Sequence, residues 1–185
     1  MTDYKAITGL DFKFEDGLEN ASGIQELAYI ILISHLKTEG KPAAVGTTVS
    51  SLATIATSHV LNTGKAPIVI HPLYGKSGAA FKLSGEELSK IFETDVEFFI
   101  PQISVALLGG AAAIKNMRAL VLVRRPGQLT GFWQIGTSGM PAKVQDIAGG
   151  FGTGPTGEVG LKISLKAFDI VPMYEYTAEL PAVGA

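Results

Sequence analysis

The chain has 185 residues, of which 46% are apolar and only 17% charged, with a formal net charge of −2 and no cysteine. That length suits one domain with a sizeable core, and the lack of cysteine excludes disulfides, thiolate catalysis and cysteine-based zinc sites. The near-neutral balance gives no electrostatic reason to capture nucleic acid or an anionic membrane.

An average soluble domain carries about 25% charged residues. This chain has fewer with which to cover its surface, and its mean hydropathy of +0.30 points to contacts with other subunits. The start, Met1-Thr-Asp-Tyr-Lys5, lacks the basic region and apolar core of a targeting segment, which predicts a soluble cytoplasmic product.

In chain order, residues 11–15 alternate with Phe12 and Phe14 on one face, which predicts a strand. Residues 27–33 form a longer apolar run, too short for a bilayer and suited to a strand buried on both faces. Residues 47–59 fit either an extended connection or a weak helix. Residues 66–74 and 79–83 read as strands joined through Gly75 to Gly78. Ser84-Gly-Glu-Glu87 has the form of a capping box and predicts a short helix through Leu88 and Ile91.

Residues 94–100 alternate, with Val96, Phe98 and Ile100 on one face and Asp95, Glu97 and Phe99 on the other. Pro101 then opens a predicted helix over 102–116, with Ile103, Ala106, Leu107, Gly110, Ala111 and Ile114 along one stripe. Gly109-Gly110 costs such a helix about 1 kcal/mol per glycine relative to alanine. A helix that keeps the pair is expected to pack its backbone closely against a sheet or a neighbour.

Residues 118–125 and 129–136 are predicted to form a hairpin. Pro126-Gly127 suits the centre of a type II turn, with Pro setting φ and Gly supplying a positive one. In 160–167, Leu161, Ile163, Leu165 and Ala167 face inward while Lys162, Ser164 and Lys166 face outward. Residues 173–180 alternate again. The chain reads as a single domain over 1–185, with flexible loops near 38–46 and 148–160 and no internal repeat.

The patterns that suggest enzymatic chemistry fail on spacing or context. Gly75-Lys76-Ser77 ends like a phosphate-binding loop, but the glycine required five residues earlier is Ile70. Gly150-Phe-Gly152-Thr-Gly154 leads into Pro155 and a strand, whereas a dinucleotide fingerprint must open a helix. His35, His59 and His71 lack metal-ligand spacing and read as core or turn residues. No nucleophile elbow is present. The expectation is a protein that is not an enzyme and carries no cofactor, metal or catalytic residue.

The order of elements resembles the major tail tube proteins of long-tailed bacteriophages, in particular the divergent Bacteroidota type. The stretches that carry the resemblance are Val96-Glu-Phe-Phe-Ile-Pro-Gln102 with the helix after it, Leu120-Val-Leu-Val-Arg-Arg125, the Pro126-Gly127 turn, and Gly131-Phe-Trp-Gln-Ile-Gly136. Phe151-Gly-Thr-Gly154 and the strand beyond Gly157 follow. Residues 37–63 depart from the family pattern.

The resemblance implies a mainly β (α+β) fold, an antiparallel β-sandwich or half-barrel with one or two short flanking helices. It implies a virion structural protein, assembled in the host cytoplasm, whose hexameric rings stack into a hollow tail tube. Its partners would be itself, other tail proteins, and DNA that passes through the lumen without specific binding; no membrane insertion is expected. Asp95, Glu97, Glu175 and Glu179 are the lumen-facing candidates, and Trp133, Phe151, Lys162 and Lys166 the subunit-interface candidates. Alternatives are another virion component (a tail terminator, connector or capsid decoration protein) or a small β-rich ligand-binding module.

Overall fold

The computed structural model describes residues 22–43, 48–154 and 156–181, so the strand expected at 11–15 lies outside the described residues. In chain order the elements are β1 (Ala28–Leu32), β2 (Leu36–Thr38), α1 (Val49–Ala53), β3 (Thr54–Ile55), β4 (Val60–Leu61), β5 (Ile68–Ile70), β6 (Gly78–Ser84), β7 (Ile91–Ile100), α2 (Val105–Ile114), β8 (Arg118–Val123), β9 (Phe132–Ile135), β10 (Ala142–Gly150), β11 (Gly160–Asp169) and β12 (Tyr174–Tyr176). The fold is mainly β, of the α+β class, as the period-two alternation predicts.

Ten strands form one mixed sheet in the order β3-β12-β9-β8-β10-β11-β7-β6, with β1 pairing β8 and β5 pairing β1. β8 is the pivot. Its first residues pair with β10 (Ala119↔Ala142) and its later ones with β9 (Val121↔Ile135), while β1 runs antiparallel to it through Leu32↔Ala119 and Tyr29↔Leu122. The sheet thus divides into two arms. Val96 and Phe98 from β7 and Ile163 and Leu165 from β11 share one core with Ile30, Val121 and Ile135.

The continuous apolar runs follow from burial on both faces. Val121 and Val123 face the shared core, while Leu120 and Leu122 join Ile31, Ile55, Phe132 and Tyr176 in a second cluster behind β8. Each such fully buried side chain contributes about 1.5–3 kcal/mol. The β8–β9 hairpin forms as predicted. Gly127 has φ 78°, and the Gln128 N–H donates to the Arg125 carbonyl at 3.1 Å, which closes the turn.

Several expectations are corrected. No helix starts at Ser84. That residue stays in β6 opposite Ile91, Gly85 turns with φ 110°, and residues 85–90 return the chain into β7. A cap is worth about 1 kcal/mol, and seven paired residues between β6 and β7 outweigh it. The helix expected over 102–116 is confined to Val105–Ile114, with the Ser104 hydroxyl accepting from the Leu107 N–H at 3.2 Å.

The strand expected over 66–74 shortens to Ile68–Ile70, and the ambiguous stretch 47–59 divides into α1 and β3. Residues 148–150 and 160 are strand, because Ala148, Gly149 and Gly150 pair with Lys162, Leu161 and Gly160. The loop is therefore the turn between them. Gly40, within the supposed loop at 38–46, is buried, and its N–H donates to His59 Nδ1 at 3.0 Å.

Candidate assembly surfaces

β10, β11, β7 and β6 form a fully antiparallel four-stranded unit. Alternation sends Val96, Phe98, Ile163 and Leu165 inward, so Glu93, Asp95, Glu97, Lys162 and Lys166 share the opposite face. Cross-strand register then matches charges. Lys162 Nζ lies 2.8 Å from Glu97, and Lys166 bonds Glu93 and lies 3.4 Å from Asp95. Lys82 on β6 reaches Glu93 from the other side at 3.3 Å.

Lys166, then Lys82, hold the Glu93 carboxyl below its ordinary range, and Glu93, helped by Asp95, raises Lys166. The sign follows from linkage. The Glu93 contribution is present above the ordinary carboxylate pKa and is lost as pH falls through the depressed one. The Lys166 contribution is present below the ordinary lysine pKa and is lost as pH rises through the raised one. The face therefore stays paired across the neutral range. Asp95 and Glu97 belong to a charge-balanced face shared with Lys162 and Lys166. Those lysines make their ion pairs within the chain.

The two sides of this unit end differently. Among the described residues β6 is the last strand of the sheet, and its outer edge has no partner along its seven residues, Gly78–Ser84. At the other side β8 takes only Ala142 and Lys143 of the nine residues of β10, leaving 144–150 paired on one side alone among the described residues, with a bulge at Gln145. Open edges of this length are templates for pairing with another chain unless they are blocked. No proline or β-bulge interrupts β6, and Phe81 and Leu83 on it are 55% and 54% exposed.

α2 stands next to the β10 edge. Its ten residues, Val-Ala-Leu-Leu-Gly-Gly-Ala-Ala-Ala-Ile, contain no polar side chain, yet only Ala111 and Ile114 are buried and Val105 is 89% exposed. An all-apolar helix is ordinarily buried all round. Among the described residues a Cβ added at Gly109 or Gly110 would meet nothing within 4 Å, so none of them packs against the glycine pair. A crevice of about 360 Å³ separates Ala111, Ala112 and Lys115 of α2 from Val144, Gln145, Asp146 and Ile147 of β10. No helix of the described residues is long and apolar enough to cross a membrane.

A prediction separates the helix from its surroundings. Gly109→Ala with Gly110→Ala should raise the stability of the isolated chain by about 1 kcal/mol per site, because the space is open and alanine favours helix. If a neighbour packs on that face, the same change should weaken self-association. Thermal melts and light scattering on one sample read the two effects separately.

The remaining candidates scatter. Trp133 on β9 is half-buried beneath Arg125, whose guanidinium lies 5.7 Å from the ring centroid, and its Nε1 is buried without a hydrogen-bond partner. It lines a groove of about 520 Å³ with Ala79, Phe81, Pro172 and Met173, next to the open β6 edge. Phe151 is exposed just past the end of β10. Glu175 on β12 opposes Trp133 and Thr54, so the structure does not bring it, or Glu179, to the face of Asp95 and Glu97.

His59 is a core histidine. Its Nδ1 accepts from Gly40, which leaves the proton on Nε2 to donate to Gln134 Oε1 at 2.8 Å, and its ring stacks on Tyr176 at 4.8 Å. Lys76 of the phosphate-loop lookalike pairs with Glu158, and the Ser77 hydroxyl accepts from the Phe99 N–H at 3.0 Å. Among the described residues no group of three His, Asp or Glu side chains could hold a metal ion. The residues that sequence reasoning missed are Phe81, Leu83 and Glu93. Glu93 begins the alternation that places Asp95 and Glu97, and that period was the available signal. No protein-family model matches the chain, and neither a curated protein nor a solved structure matches it significantly.

Proposed function

We infer that this chain is a structural subunit that joins head to tail with copies of itself, closing into rings that stack into a hollow tube of the kind found in phage tails. The observation that carries this reading is the pair of dissimilar open edges on one four-stranded unit. An antiparallel unit with an even number of strands presents oppositely directed strands at its two edges. β6 of one copy can therefore pair antiparallel with β10 of the next, and repetition by rotation continues the alternation around a barrel that has no edge left.

The lengths agree to within one residue, since β6 offers seven residues and β10 leaves 144–150 open with a bulge at Gln145. Phe81 and Leu83 point to the core side of β6, the side on which α2 stands beside β10. Pairing of the edges would set those side chains on the exposed small-residue face of α2 in the next copy, which accounts for the glycine pair. A heterologous contact of this type makes rings when the rotation closes.

The ion-paired face would then line the bore. With each of Glu93, Asp95 and Glu97 opposite a lysine, it presents little net potential, and DNA could pass without adhering. Assembly would take place in the host cytoplasm and the product would reside in the virion, joined to other tail proteins. Negative-stain images and light scattering of the purified chain are the test. Uniform rings or tubes are expected, rings that never stack would restrict the reading to a ring component such as a terminator, and a chain that stays monomeric at high concentration overturns it.

A further inference from the structure

The turn between β6 and β7, residues 85–90, carries an apolar side chain that packs on nothing among the described residues. Leu88 is 100% exposed and sits at φ 69°, a left-handed conformation that leucine rarely adopts. The turn is nonetheless closed, with the Ser89 N–H donating to the Glu86 carbonyl at 3.1 Å. Glu86 and Glu87 immediately precede the leucine, both exposed and without an ion pair among the described residues. A held turn that displays two acidic side chains and then a leucine has the shape of a plug.

A matching socket lies where α2 runs into β8. Lys115, Met117, Arg118 and Lys143 border a cleft of about 390 Å³. All four are exposed, and none of the three cations makes an ion pair among the described residues. Met117 gives the cleft an apolar wall. Topology sets the two features at corresponding ends. β8 occupies β10 at Ala142 and Lys143, so a strand laid along 144–150 must stop there. β6 of a neighbour, running antiparallel from Gly78, would reach that stop at Ser84, and the turn beyond it would meet the cleft.

We propose that the Glu86-Glu87-Leu88 turn of one copy docks into the Lys115–Arg118/Lys143 cleft of a second copy, locking the register of the head-to-tail contact. This rests on the edge pairing argued above. Leu88 packs on Met117, the two carboxylates face three cations, and the contact weakens as salt screens it. Edge pairing alone leaves a strand free to slip by two residues without changing which face is buried. A charged plug at one end removes that freedom.

The test uses the full chain in three forms. Glu86→Lys with Glu87→Lys places a basic turn against a basic cleft; Lys115→Glu, Arg118→Glu and Lys143→Glu places an acidic turn against an acidic one. Each alone should reduce assembly at least tenfold in concentration dependence by light scattering, with a melting temperature close to that of the parent because all five positions are exposed. An equimolar mixture should assemble again by alternation, since each turn then meets an opposite cleft. Leu88→Ser should weaken assembly without altering its salt dependence.

Variants that assemble like the parent, or a mixture that stays dispersed while the parent assembles, overturn the docking and leave the edge pairing standing. A parent chain that does not assemble at all overturns the edge pairing, and the docking with it.

Discussion

Phe81→Lys combined with Leu83→Lys should yield a chain that folds and remains a single copy in solution. Both side chains lie on the open edge strand and are more than half exposed, so the isolated chain loses little. The main local loss is the edge-on contact of Phe81 with Phe92, centroids 6.1 Å apart, worth about 0.5–1.5 kcal/mol. In a chain of this size that lowers the melting temperature by roughly 2–5 °C.

The loss on assembly is larger. Covering the remaining half of each side chain against α2 of a neighbour contributes about 1 kcal/mol per residue. A lysine in that place adds the cost of desolvating a charge, which natural edge strands exploit to prevent pairing. Together the association constant should fall by roughly a hundredfold or more per interface, at about 1.4 kcal/mol per decade. Sedimentation or light scattering at matched concentrations measures it. Assembly equal to that of the parent would remove β6 from the interface.

What could be read from residue order was whatever depends on near neighbours. The β8–β9 hairpin was legible because Pro126-Gly127 fixes its turn, and the inward set Leu161, Ile163 and Leu165 because one period of two decides it. The capping box at Ser84 misled for a physical reason. A local signal of about 1 kcal/mol competes with a ladder whose partner strand begins only at Ile91. The outward faces of β7 and β11 were each read correctly, yet nothing local says that the two strands are adjacent. Lys166 and Glu93 are 73 positions apart, and their pairing helps to balance the charge of that face. The open edges were illegible for the same reason, since an edge is defined by a partner that is missing.

The buried network around His59 spans still greater separations, and it yields the second large effect. His59→Phe should destabilise the fold by about 3 kcal/mol while preserving the stack on Tyr176. The imidazole is the hydrogen-bond partner of the buried Gly40 N–H and of Gln134 Oε1, and leaving each of two buried groups unmet costs about 1–3 kcal/mol. Gln134 keeps its donor bond to the Gly136 carbonyl at 3.0 Å, and the Tyr176 hydroxyl keeps its bond to the Glu179 carbonyl at 2.8 Å, so the damage stays local.

The variant should also change the response to acid. Burial lowers the pKa of His59 from 6.5, against smaller opposing effects from Gln134 and Glu39. Between that lowered value and 6.5 the unfolded chain binds more protons than the folded one. Stability attributable to His59 is therefore complete above pH 6.5 and is lost as pH falls through the folded value. Asp169 works in the opposite sense, because burial raises its carboxyl and the folded state retains a proton that the unfolded state releases. Its contribution is present at low pH and is lost as pH rises through that raised value.

The wild-type slope is thus a composite, and the difference between wild type and His59→Phe isolates the histidine. Chemical denaturation at pH 7.5, 6.5, 5.5 and 5.0 should show the gap between the two proteins narrowing as pH falls, because only the wild type has a buried imidazole at position 59 to protonate. A gap that stays constant would mean that the ring is not kept neutral by its surroundings, and that its two hydrogen bonds do not fix the proton on Nε2.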